Sequence, residues 1–108
     1  MPEQPLGAFY TRSDYAASNE AVLDKFVGAL HEAMDYLNAD EVRARVMIAE
    51  YSGLDPKLLA EMPLNVWDYH IKPEVWQRIV DMLVTNAELE SPHNVDEFLS
   101  DYVRARLK

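Results

Sequence analysis

The sequence predicts an all-α fold, a compact bundle of about five helices behind a short extended N-terminal segment. Apolar residues recur at the 3.6-residue spacing of a helix over several stretches, and residues that start and stop helices separate those stretches. Only one three-residue run has β character. With 108 residues, 49% of them hydrophobic, the chain is long enough for one core. We therefore expect a linker or cut strand over residues 1–12 and a single α-helical domain over residues 13–108.

The first residues favour an irregular segment. Residues 2–7 include two prolines and a glycine, which is typical of a linker. Phe9, Tyr10 and Thr11 form the only plausible strand, and it is too short to stand alone. Residues 13–17 predict one helical turn.

A long helix follows. Ser18 or Asn19 can cap its N-terminus, and the pattern continues to about Leu37. Gly28 lies in its middle, where glycine costs about 1 kcal/mol relative to alanine, so we expect close packing against a neighbouring element there. The apolar stripe of this helix comprises Val22, Leu23, Phe26, Val27, Leu30, Ala33, Met34 and Leu37.

Two shorter helices come next. Asn38 or Asp40 can cap the first, and Gly53 can adopt the left-handed conformation at its end. Asp55 then caps the second, whose first residue is Pro56. The side chains expected to be buried are Val42, Val46, Met47 and Ala49 in the first helix and Leu58, Leu59 and Met62 in the second.

Pro63 ends this helix and opens a loop, and Pro73 begins the next helix. That helix has an apolar stripe made of Trp76, Ile79, Val80, Leu83 and Val84. Asn94 and Glu97 then match a capping box for a last helix. Its apolar side consists of Val95, Phe98, Leu99, Tyr102 and Val103, and its basic end of Arg104, Arg106 and Lys108.

Composition excludes several function classes. A formal net charge of −9 disfavours nucleic acid and anionic membrane surfaces as partners. Without cysteine there is no disulfide scaffold or zinc–thiolate site, and His31, His70 and His93 lie too far apart in sequence to form a helical metal motif. The glycines are isolated and no serine lies in a nucleophile elbow, so we expect no cofactor, no metal and no catalysis.

The loop over residues 63–71 contains the one cluster with functional character. Trp67, Asp68 and His70 are the candidate ligand-binding residues, because aromatic rings beside a carboxylate and an imidazole can line a small-ligand pocket. In the alternative interpretation, Trp67 and Tyr69 fasten a long connection to the bundle while Asp68 and His70 face water.

Two stretches carry a resemblance to a known family. Residues 9–37 contain Phe26-Val27-Gly28-Ala29-Leu30, and residues 53–98 contain, in order, Gly53-Leu54-Asp55-Pro56, Pro63-Leu64-Asn65-Val66, a Pro73-to-Arg78 helix start and Val95-Asp96-Glu97-Phe98. This order resembles the C-terminal portion of the periplasmic solute-binding proteins of ABC importers, in the branch for nitrate, sulfonates, taurine, bicarbonate and thiamine-pyrimidine precursors. That family often has glycine where Ala87 stands. Since alanine resists the left-handed conformation at a cost of about 1 kcal/mol, we expect Asn86 to adopt it here.

The resemblance implies a non-catalytic segment of a two-lobed α/β receptor that captures a small, anionic or heteroaromatic solute. Its implied partners are the missing lobes of the parent protein, the solute and a membrane permease, and the implied location is periplasmic or extracytoplasmic. The first residues lack a basic n-region and an apolar h-region, so no signal peptide is expected in this chain. The faces of this segment that would pack against the missing lobes are expected to leave apolar area exposed. Such exposed area predicts homo-oligomer formation. The alternative is a stand-alone cytoplasmic α-helical protein-interaction domain.

Overall fold

A computed structural model describes residues 4–105, in which every regular element is a helix and no β-strand is present. The predicted all-α class is therefore confirmed. The helices are α1 (Ser13–Ser18), α2 (Glu20–Ala39), α3 (Glu41–Ser52), α4 (Pro56–Glu61), α5 (Pro73–Thr85), a 3₁₀ helix (Val95–Glu97) and α6 (Asp101–Arg104).

Contacts divide the chain into two units. The first comprises the residues up to Ala21 together with those from His70 onward, and the second is Val22–Tyr69. The single domain expected over residues 13–108 stays a prediction. The buried apolar residues are Ala16, Val75 and Val95 in the first unit and Ala44 and Leu59 in the second.

The N-terminal segment contains no strand between residue 4 and α1, so the strand expected at Phe9–Thr11 is wrong. A strand of three residues forms only beside a second strand that shares its backbone hydrogen bonds, and residues 4–105 contain no strand. The side chains of Phe9 and Tyr10 are largely exposed. The helical turn predicted for residues 13–17 is confirmed as α1.

Helix α2 begins at Glu20 and continues two residues beyond the predicted end at Leu37. The side chain of Asn19 donates from Nδ2 to the carbonyl of Tyr15 at 3.0 Å and so satisfies the end of α1. The close packing expected at Gly28 is wrong, because a Cβ atom built there meets nothing within 4 Å.

Of the two candidate caps for α3, Asp40 performs the role: its Oδ1 accepts from the amide of Arg43 at 3.0 Å. Gly53 ends the helix with φ of 73°, as predicted. The expected buried face is wrong, because Val42 is 75% and Val46 53% exposed. Ala44 is fully buried instead, and α3 is in contact with α4.

Asp55 caps α4 through the amide of Lys57 at 2.8 Å, with Pro56 at the first position. Leu59 is buried as predicted, but Leu58 and Met62 are exposed. A helix of only six residues has room for one inward-facing side chain per turn, which Leu59 provides.

Helix α5 begins at Pro73, as predicted, and its buried residue is Val75. It ends in a Schellman motif, in which Glu88 N donates to the carbonyl of Leu83 and Ala87 N to that of Val84. The left-handed residue is Ala87, with φ of 60°, whereas Asn86 has φ of −85°. The expectation that Asn86 adopts this conformation is therefore wrong, because the motif places it one residue later.

The single last helix that was predicted is instead a 3₁₀ helix followed by the short α6. Asn94 does cap, but its Oδ1 accepts from Asp96 N at 3.0 Å and tightens the turn. Ser100 caps α6 through Val103 N at 3.3 Å, so the two helices are separate. Phe98, expected in the apolar side, is largely exposed. The predicted roles of Arg106 and Lys108 lie outside the described residues.

Candidate functional site

The loop between α4 and α5 is fastened to the C-terminal end of α2. Asn38, in the last turn of α2, donates from Nδ2 to the carbonyl of Trp67 at 2.7 Å. Asp68 N donates to the carbonyl of Val66 at 3.1 Å, which gives the loop a tight local turn. Trp67 is half-buried as a result.

The same loop brings Tyr69 onto the middle of α2. The phenol ring of Tyr69 stacks on the imidazole of His31, with centroids 3.9 Å apart and 19° between the planes. His31 and Asp35 are one helical turn apart and so share a face. The hydroxyl of Tyr69 donates a hydrogen bond to the carboxylate of Asp35. We call His31, Asp35 and Tyr69 the tyrosine cluster.

Charge and burial act together on Tyr69. The negative charge of Asp35 contributes most to raising the pKa of the Tyr69 phenol above its ordinary value. Partial burial, the hydrogen bond to Asp35 and the charge of Asp68 raise this pKa further. Because the phenol is kept protonated well past neutral pH, it is suited to holding a hydrogen bond and not to proton transfer near pH 7.

The three residues predicted from the sequence fall on both sides of the division between the units. Trp67 and Asp68 belong to the second unit, and His70 belongs to the first. Trp67 is half-buried, while Asp68 and His70 are exposed. Whether these three residues bind a ligand stays a prediction.

The tyrosine cluster was not predicted from the sequence. His31 was considered there only as a candidate for a helical metal motif, and Asp35 was not singled out. The available signal was the spacing of four residues between His31 and Asp35, which places an imidazole and a carboxylate on one helical face. Its aromatic partner, 38 positions further on, has no local signature in the sequence.

The first unit contains a polar bridge and a shallow depression. Gln77 accepts from Val95 N at 2.8 Å through Oε1 and donates through Nε2 to the carbonyl of His93 at 2.9 Å and to Asp81 at 2.9 Å. The adjoining depression of about 640 Å³ includes the carboxylates of Glu74, Asp81, Asp96 and Glu97 in its lining. Over residues 4–105, no three His, Asp or Glu side chains converge as a metal site requires.

Within the same described range, no helix combines the length and the apolarity needed to cross a bilayer. Comparisons with protein-family models, with curated proteins and with solved structures found no match for this chain.

Proposed function

We propose that this chain is the C-terminal helical segment of an ABC-importer solute-binding protein. In this role it takes part in capturing a small anionic or heteroaromatic solute outside the cytoplasm and delivering it to a membrane permease, without catalysis. The observation that carries the proposal is the imbalance between buried and exposed apolar residues. Over the described residues, eighteen large hydrophobic side chains are exposed, while five apolar residues are buried.

This imbalance has a thermodynamic meaning. Burial of apolar surface stabilises a fold by roughly 25 cal/mol for each Å². Because many large apolar side chains of this chain are exposed, they do not contribute this stabilisation in full. Monomeric soluble proteins rarely leave contiguous apolar patches of more than a few hundred Å² uncovered. Exposed faces such as that of Val42 and Val46 therefore support a segment whose covering surface is supplied by another part of a longer polypeptide.

The helix boundaries give independent support. The family-like segments lie where helices start and stop: Gly53 is left-handed, Asp55 is a cap and Pro73 is the first residue of its helix. Ala87, which stands where the family often has glycine, adopts the positive φ for which glycine is best suited. A chain that keeps the left-handed conformation at this position after losing the glycine is consistent with descent from such a family.

A stand-alone interaction domain is the competing proposal, since exposed apolar faces also serve partner binding. Immunoblotting of source cells with an antibody against these residues separates the two. We expect a species much larger than 12.4 kDa in the fraction released by osmotic shock. A 12.4 kDa species that fractionates with a cytosolic marker would instead establish the interaction domain.

Solute binding is tested on the intact parent protein. Calorimetric titration with nitrate, bicarbonate, an alkanesulfonate and an aminopyrimidine should identify one binding class. Replacing Trp67, Asp68 and His70 together by alanine should then lower affinity, because these side chains supply ring and hydrogen-bond contacts to the solute. Unchanged affinity in this triple variant would remove the three residues from the binding site.

A further inference from the structure

We draw no further inference here: the strongest candidate, the exposed apolar face of α3 that carries Val42 and Val46, supports no proposal because nothing in residues 4–105 shows what covers it.

Discussion

The imidazole of His31 and the phenol of Tyr69 lie face to face, 3.9 Å between centroids, although 38 positions separate them in the chain. This stack joins the middle of α2 to the loop that precedes α5. Asn38 makes a second attachment about two turns further along α2, through the carbonyl of Trp67. Two attachments define the path of a loop better than one, because together they prevent rotation about either.

The hydrogen bond from Tyr69 to Asp35 predicts a measurable titration. Because the charge of Asp35 is the largest cause of the raised pKa of Tyr69, Asp35→Asn should lower this pKa toward the ordinary value of about 10. A raised folded-state pKa means that the phenol contributes stability below about pH 10, which is lost as pH rises through the folded-state pKa. Carbon-13 NMR of the tyrosine ζ carbons measures the titration. An unchanged Tyr69 titration in Asp35→Asn would contradict this origin, and Glu32→Gln serves as the control carboxylate.

Gly28 predicts a stabilising substitution. The space around its Cα is open and the residue is inside a helix, so Gly28→Ala should raise the free energy of unfolding by about 0.5–1 kcal/mol. Urea denaturation followed by circular dichroism measures the change. Gly7→Ala is the matched control, since Gly7 is equally open but lies outside the helices. A loss of stability at Gly28 would show that another surface approaches it closely.

At Ala87 the reverse change, from alanine to glycine, is expected to stabilise the chain. Its φ of 60° costs an L-residue about 1 kcal/mol relative to glycine, so Ala87→Gly should stabilise the chain by about that amount. Ala60→Gly provides the contrast, because Ala60 is an exposed helical residue of α4 and glycine there should destabilise by up to about 1 kcal/mol. The same denaturation experiment compares both variants. If both variants changed the free energy of unfolding in the same direction, the result would count against a left-handed conformation at Ala87.

The hydrogen bond from Val95 N to Gln77 Oε1 predicts how much stability is lost when a buried amide has no acceptor. Gln77→Ala leaves the amide of the buried residue Val95 without its acceptor and should destabilise the chain by about 1–3 kcal/mol. Gln77→Glu retains an acceptor for that amide, so it should preserve the protection of Val95 N, although it loses the donor to His93 and places a carboxylate against that of Asp81. Hydrogen exchange at Val95 N reports the effect directly. Unchanged protection of this amide in Gln77→Ala would contradict the bridge.

Helix boundaries were the part of the fold that sequence patterns predicted well. Asp40, Gly53 and Asp55 act through bonds to backbone groups two to four residues away, so their roles follow from local chemistry. The buried residue of α3, Ala44, did not follow, because which side of a helix is buried depends on packing between elements that are distant in sequence. The tyrosine cluster was missed for the same reason, since Tyr69 reaches His31 only through the path of the loop.

The hydrogen bonds from Arg45 to α4 have a consequence for how this region unfolds. The guanidinium of this α3 residue donates to the carbonyls of Leu59 and Met62 at the end of α4 and is itself held by Glu41 at 2.7 Å. A helix of six residues does not form alone in water, so α4 depends on donors supplied from α3. The amides of α3 and α4 should therefore lose their protection from hydrogen exchange together, as one cooperative unit. The side chain of Arg45 should set how often that unit opens.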